Sequence, residues 1–302
     1  MLFMSRIRVW IKASRLQSQT FIFLPVLFGQ SWFVSRGNEI SWPIFFVMTL
    51  FCFFDQLFIV YANDYADYET DCKNTTFTIF SGGSRVLADK DLLPDQLKKS
   101  AYLMAACCIG CGLFLTFVFN RPLALPLVII SLGLLWMYSY KPFKLSYKGG
   151  GEFLQMTGVG LVLTLFGYYA QSGIFAGYPW LLLLCVILPT QLACAMATSL
   201  PDEPSDRLFQ KKTTTVLLGP QNTKRLIIAL NITSVLSFPF VSWMSAFNRQ
   251  TVFILVIPAV SVFTQCFLIN SETGSMKLTF FVTLSVLFTL SIMGGMAASL
   301  LC

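Results

Sequence analysis

The residues of this chain best suited to chemistry lie between Asn63 and Leu87. An acidic cluster, Asn63-Asp64-Tyr65-Ala66-Asp67-Tyr68-Glu69-Thr70-Asp71, is followed by Ser81-Gly82-Gly83-Ser84-Arg85-Val86-Leu87. On a continued helix Asp64, Asp67 and Asp71 fall within about 60° of arc. Three carboxylates on one face repel each other unless a positive charge sits between them. Mg²⁺ suits such a place, because it takes oxygen ligands and shares them with substrate phosphates. A second acidic element, Leu200-Pro201-Asp202-Glu203-Pro204-Ser205-Asp206-Arg207, runs on to Lys211, Lys212 and Thr213. Asp202 and Asp206 stand at i and i+4 on one face, with Pro204 accommodated in a first turn or at a kink. They suit a second Mg²⁺; the rival reading is a solvated loop of mixed charge.

Cationic partners are present. Arg85 follows two glycines, which let backbone approach an anion closely. The segment 138–152 carries Tyr140, Lys141, Lys144, Lys148, Gly149 to Gly151 and Glu152. Its lysines read either as ordinary loop charges or as an anion grip, and its glycines lack the spacing of a Walker or Rossmann fingerprint. The chain contains no histidine, so acid–base or metal chemistry falls to Asp, Glu, Tyr and Lys. Carboxylates for Mg²⁺, cations for phosphate and an oily surrounding suggest a diphosphate with a long apolar tail. Ionising an allylic diphosphate requires neutralisation of the leaving group, exclusion of water and aromatic faces for the developing cation.

The elements that must position these groups are membrane helices. Of 302 residues 56% are hydrophobic and 12% charged, with mean hydropathy +0.70, against about 25% charged residues in a soluble domain. The apolar runs are continuous and not alternating, which points away from an outer-membrane barrel. The predicted fold is an all-α membrane protein, a bundle of nine transmembrane helices with polar cap loops on the cytoplasmic side. Residues 1–18 form a cytoplasmic amphipathic segment at the interface. The nine-helix domain covers 19–302, with apolar runs near 19–35, 42–62, 98–119, 122–140, 153–172, 179–199, 225–246, 251–269 and 278–300. Its active-site loops are 63–97, 138–152 and 200–224. With the N-terminus inside, only Arg36, Arg121 and Arg249 among the Lys and Arg residues fall outside, a strong positive-inside pattern. The C-terminus then lies outside, and the expected location is the cell inner (plasma) membrane. The net charge of +7 belongs to this topology and not to nucleic-acid binding. Cys107, Cys108 and Cys111 lie in an apolar run and read as small hydrophobes. Asp55 and Gln56 fall inside the second span, where a charge is functional by default. Asp55 faces roughly opposite to Asp64 and either pairs with a neighbouring helix or lines the bundle cavity.

The motifs resemble those of the UbiA superfamily of intramembrane prenyltransferases. Asn63-Asp64-x-x-Asp67-x-x-x-Asp71 is similar to its first signature, and Asp202-x-x-x-Asp206 with Lys211-Lys212-Thr213 to its second. Tyr138-Ser139-x-x-Pro142 through Lys148-Gly149-x-Gly151-Glu152 resembles the segment between them. Ser81 to Leu87 and Leu200-Pro201-Asp202 are most like the menaquinone branch, whose members prenylate 1,4-dihydroxy-2-naphthoate. Two departures stand out: Gln210 where a glycine is usual, and Pro204 within the second spacer. The resemblance implies one Mg²⁺ on Asp64, Asp67 and Asp71 and a second on Asp202 and Asp206. It implies a diphosphate held by Asn63, Arg85, Lys141, Lys148 and Lys212, with Asp64, Asp67, Asp202 and Asp206 as catalytic carboxylates and Tyr140 orienting the acceptor. The substrates it implies are a polyprenyl diphosphate and an aromatic acceptor. The alternatives are 4-hydroxybenzoate, homogentisate or a non-aromatic acceptor for the same chemistry, and, more remotely, a transporter. Transporters place their polar sites near the bilayer midplane, whereas these acids fall at helix ends.

Overall fold

The continuous apolar runs dictate helices, since a span in lipid satisfies its backbone only within itself. A computed structural model describes residues 2–244 and 253–301, and all its regular structure is helical. The ends of two expected spans (245–246 and 251–252) and Arg249 lie outside the described residues. The principal helices are α1 (Leu2–Ser14), α2 (Gln19–Ser35), α3 (Trp42–Ala66), α4 (Pro94–Val118), α5 (Ala124–Ser139), α6 (Gly151–Ser172), α7 (Trp180–Leu208), α8 (Pro220–Met244), α9 (Val256–Phe267) and α10 (Met276–Leu301). Among the described residues six of these, α3, α4, α6, α7, α8 and α10, are long and apolar enough to cross a membrane. Ala124–Ser139 and Phe253–Phe267 are shorter apolar helices, and α2 has 17 residues with Pro25 inside it. Phe46, Phe117, Leu236, Trp243, Phe263 and Phe267 stand exposed on the outside of the bundle, an arrangement suited to lipid and costly in water.

Three buried cores hold the helices. One joins α2, α7, α8 and α10 through Phe28, Met196, Phe238 and Phe288. A second joins α2 to α6 through Val26, Phe51, Leu115, Val128 and Phe166. A third lies under α1, where Ala13 meets Tyr61, Val86 and Leu97, and Trp10 meets Tyr61 edge-on at 5.7 Å. Helices α2 and α6 cross at near backbone contact, because a Cβ on Gly29 or Gly167 would collide with the facing main chain; small residues permit such approach in membrane bundles. The far end of α6 is capped by Arg121, whose Nε and Nη2 donate to the carbonyls of Ala170 and Gln171 at 2.7 and 2.8 Å.

The same helix departs from regular α geometry at Met156–Val162, a wider turn of the kind often found beside functional sites. Gly158 and Val159 of that turn line a cavity of about 300 Å³. The cavity opens where α3, α5, α6 and α7 end beneath the loops 74–85 and 211–213. The thiols of all eight described cysteines are free, and Cys108 and Cys111 are buried, in keeping with small apolar packing residues.

Candidate active site

The first acidic motif does not continue as one straight helix. Helix α3 stops at Asp67 (φ −98°, ψ 9°) and a short helix, Tyr68–Lys73, begins at once. The break is slight, since the Asp71 N–H still donates to the Asp67 carbonyl at 2.9 Å. Asp64 is buried; its Oδ2 accepts from the Ser84 N–H at 3.0 Å and from the Ser84 hydroxyl. Its Oδ1 is buried with no hydrogen-bond partner. Gly83, at φ +68°, lies so close that a Cβ there would strike the Asp71 carboxylate and approach Asp64, so this loop requires glycine.

The second motif ends α7. A tight turn at Leu200–Asp202 leads into Glu203–Leu208, with Pro204 in the first turn, a position where proline costs no hydrogen bond. Asp202 Oδ1 accepts from Asn74 Nδ2 at 2.6 Å. Gln210 takes the left-handed conformation (φ 55°), which glycine adopts at lower cost. That reversal lets the Lys211 N–H donate to the Asp206 carbonyl at 2.8 Å.

Lys211 joins the two motifs. Its ammonium lies 3.5 Å from Asp67 Oδ2 and 3.5 Å from Asp206 Oδ1, and it is buried. It also stands 4.6 Å over the Tyr147 ring, and the Tyr147 hydroxyl donates to Asp67 Oδ1 at 3.1 Å. Burial opposes the ammonium charge, but Asp67 and Asp206 outweigh it and raise the lysine above its ordinary pKa. Burial, together with the charges of Asp67, Asp64 and Asp202, pushes Asp71 up to about 8. Burial and the nearby Asp67 push Tyr147 up to about 12. Five aspartates thus face Lys211 and Arg15, an anionic excess that a divalent cation relieves. Among the described residues no three His, Cys, Asp or Glu converge tightly enough to hold a metal by themselves. Mg²⁺ fits such a site when phosphate oxygens complete its shell, and the orphaned Asp64 Oδ1 and the elevated Asp71 mark where positive charge is wanted.

The expected residues divide in two. Asn63, Asp67, Asp71, Asp202 and Asp206 line the cavity. Asp64 sits directly behind them against Ser84, and Asn63 Oδ1 accepts from the Ser139 hydroxyl at 3.2 Å. Arg85, Lys141, Lys148, Lys212 and Tyr140 are not part of that lining. Arg85 donates to the Asp71 carbonyl and stacks 4.5 Å over the Phe77 ring. It faces a separate recess shared with Lys12, Arg15 and Ile79. Lys148 Nζ donates to the Pro142 carbonyl at 2.7 Å. Lys212 meets the site through its backbone, its N–H donating to the Tyr147 carbonyl at 3.0 Å. Tyr140 donates to the Ala62 carbonyl at 2.8 Å, fixing α5 to α3.

Residue-type reasoning missed Lys211, Asn74, Tyr147 and Arg15. Lys211 stood within the second motif next to Lys212, and only the left-handed turn at Gln210 decides which of the two points inward. Arg15 belongs to the N-terminal segment, and it lines both the cavity and the recess. Asp55 lines the cavity and also meets a neighbouring helix through Ser131, so both readings of it hold.

The sequence model of the UbiA prenyltransferase family matches residues 22–293. Among solved structures, the apo form of a UbiA homologue from Aeropyrum pernix K1 superposes with TM-score 0.68 at 15% identity, over 90% of this chain and 96% of that one. A UbiA homologue from Archaeoglobus fulgidus bound to GPP and Mg²⁺ gives 0.64 at 13% identity, over 95% and 99%. A digeranylgeranylglyceryl phosphate synthase gives 0.63 at 16% identity, over 98% and 99%. These likenesses establish the fold. No curated protein matches the sequence.

Proposed function

The chain belongs to the UbiA prenyltransferase family, and from that premise we propose that it transfers a polyprenyl group from an allylic diphosphate to an aromatic acceptor with Mg²⁺ as cofactor. The observation that carries this reading is the meeting of two acidic motifs around Lys211 at the polar end of an apolar cavity. Bound GPP and Mg²⁺ in the Archaeoglobus homologue support the same donor class here. The proposed acceptor is 1,4-dihydroxy-2-naphthoate, in menaquinone biosynthesis, supported by the likeness of Ser81 to Leu87 and Leu200 to Asp202 to that branch.

Asp64, Asp67 and Asp71 on one side, and Asp202 and Asp206 on the other, are the proposed ligands of Mg²⁺. When bound, Mg²⁺ neutralises the leaving diphosphate. Lys211 adds a fixed positive charge between the two motifs, and Arg15 a second at the cavity edge; such preorganised charges act most strongly where water is excluded. Asn63, oriented by Ser139, offers its amide to the diphosphate. Arg85 secures the glycine loop over Asp64 and Asp71, and Lys141, Lys148 and Lys212 supply a basic surround for the incoming diphosphate. Tyr140 supports the acceptor indirectly by holding α5 against α3. The tail lies along the apolar lining that includes Ile59, Leu154 and Val159, and the electron-rich ring attacks the allylic carbon. For the naphthoate the carboxylate leaves as CO₂ and the prenyl group takes its place.

In the membrane the proposed arrangement has nine spans, the six long helices together with α2, α5 and α9. The positive-inside pattern supports a cytoplasmic N-terminus, cytoplasmic site loops, an outside C-terminus and the plasma membrane. The test is purified protein in lipid with Mg²⁺, a polyprenyl diphosphate and a panel of dihydroxynaphthoate, 4-hydroxybenzoate, homogentisate and a glycerol phosphate ether, with products read by mass. A prenylated, decarboxylated naphthoate is the expected product. Turnover of another acceptor alone overturns the acceptor, and solute flux without any product overturns the enzyme reading.

A further inference from the structure

Asp55 stands apart from every group used so far. It lies nine residues before Asp64 on α3, about 13 Å along the axis, inside a span. It is 1% exposed and yet lines the cavity. Its hydrogen-bond partner is Ser131 of α5, whose hydroxyl is 3.2 Å from Oδ1 and 3.3 Å from Oδ2. One hydroxyl carries one proton, while a carboxylate offers about four acceptor positions. Among the described residues no ion pair reaches Asp55. Cys52 on its own helix and Cys108 on α4 lie within electrostatic reach of it, and neither compensates an anion. A carboxylate at this depth is costly and functional by default, so its remaining capacity is directed at whatever enters the cavity.

The cavity is polar in tiers. At the mouth stand the aspartates with Lys211 and Arg15. Beside Asp55 stand Gln56, next to it in sequence, and Ser131, and Gln155 of α6 lines the same cavity; none of the three is cationic. A prenyl tail has no donor to offer this tier. An aromatic ring with a hydroxyl does.

We propose that Asp55 is the proton acceptor for the ring hydroxyl ortho or para to the carbon that is prenylated. This rests on the prenyl-transfer reading above. The hydroxyl proton passes to Asp55 and its electron pair moves into the ring. The ring carbon bonds to the allylic carbon as the C–O bond to the diphosphate breaks, its pair leaving with the diphosphate. The hydroxyl-bearing carbon is now a ketone. Loss of CO₂ from the alkylated carbon returns a bonding pair to the ring, and Asp55 gives its proton back to the ketone oxygen. The carboxylate therefore ends each turnover as it began.

The test compares wild-type protein with Asp55→Asn in lipid, with Mg²⁺, a polyprenyl diphosphate and 1,4-dihydroxy-2-naphthoate. Asn keeps the shape and the bond from Ser131 but cannot take a proton. A fall in kcat of roughly 10²- to 10⁴-fold is expected, the usual worth of proton transfer by a side chain, with KM for the diphosphate unchanged. Fluorinated acceptors with more acidic hydroxyls should narrow the gap between wild type and variant, because a pre-ionised ring needs no base. A purely structural role lowers every acceptor by one factor, and that result, or wild-type turnover by Asp55→Asn, overturns the inference. Should Asp55→Asn fail to fold, Ser131→Ala replaces it: its rate must depend more steeply on hydroxyl acidity than that of wild type, and an unchanged dependence overturns the proposal. Absence of product from wild-type protein with every acceptor, while Mg²⁺ and the diphosphate still raise its melting temperature, overturns the transfer reading itself.

Discussion

Asp64 and Asp202 end two long helices on the same side of the cavity, but their carboxylates are held differently. Asp64 is held by its own motif, through the Ser84 backbone and hydroxyl 20 residues on. Asp202 is held by the other motif, through Asn74, and Asp206 shares Lys211 with Asp67. The first motif carries its own support. The second depends on the first for orientation, so the site is one unit built from two unequal halves. The inequality also bears on the breaks in each: the bend at Asp67 is held under the glycine loop, whereas the turn at Gln210 serves to aim Lys211 across the divide.

The most severe way to break this arrangement is to remove one principal carboxylate. Asp64→Ala and Asp202→Ala should each lower prenyl transfer by at least about 10³-fold, the scale on which transition-state charge stabilisation is lost. Steady-state assays with Mg²⁺ in excess read this. Two unequal halves predict a further distinction. Asp64→Ala leaves the Ser84 N–H and hydroxyl without their acceptor, whereas Asp202→Ala removes the acceptor shared by Asn74, Ser81 and Gly82, so limited proteolysis should nick near Ser84 in the former and near Asn74 to Gly82 in the latter. The same nicking pattern in both variants would mean that the loop does not depend on which carboxylate holds it.

Lys211→Met tests the link between the halves. It leaves Asp67 and Asp206 buried beside each other without their ammonium, and breaking a buried pair from one side costs about 3–5 kcal/mol. Thermal unfolding in detergent should show that loss in EDTA, and Mg²⁺ should recover a large part of it, because the metal supplies the missing positive charge. A loss that Mg²⁺ leaves unchanged would mean that Lys211 serves the fold and not the site.

Asn74→Ala is a smaller perturbation, removing one donor from Asp202 and the acceptor of the Thr76 N–H. Asp202 keeps its charge and loses its orientation, and residues that orient metal ligands are worth about 10- to 100-fold in metal affinity. The Mg²⁺ concentration for half-maximal rate should rise by that factor, with the rate at saturating Mg²⁺ little changed. A fall in the saturated rate alone would place Asn74 on the substrate and not on Asp202.

The helical bundle was legible because hydropathy in a membrane protein is close to a structural constraint, and the acidic motifs were legible because carboxylates near lipid are scarce. Side-chain direction after a helix stops was not. The lysines of 141–148 look as suitable for a diphosphate as Lys211, but Lys148 turns back to Pro142, while Lys211 is turned inward by a single left-handed residue. Arg85 follows glycines as an anion-binding residue would, yet its guanidinium spends its reach on the Asp71 carbonyl and Phe77. Asn74 and Tyr147 carry no spacing signal, because they act across 128 and 80 residues of sequence. Asp55 was visible as a misplaced charge, but its opening onto the cavity depends on how α3, α5 and α6 cross.

The mildest change sharpens the comparison most. Gln210 occupies a left-handed backbone (φ 55°), which costs an L-residue about 1–2 kcal/mol. Glycine there removes that strain but adds freedom to the unfolded chain, an offset of about 0.4–1 kcal/mol. Gln210→Gly should therefore raise stability by about 0.5–1 kcal/mol, read as a small upward shift in melting temperature. Transfer rate and Mg²⁺ requirement should stay within about twofold, as for exposed positions away from a site, because the backbone reversal that aims Lys211 is the same with either residue. A lowered melting temperature, or a changed Mg²⁺ requirement, would mean that the Gln210 side chain itself supports the second half. The unchanged result would make the left-handed turn, and not the side chain at 210, what the second half requires.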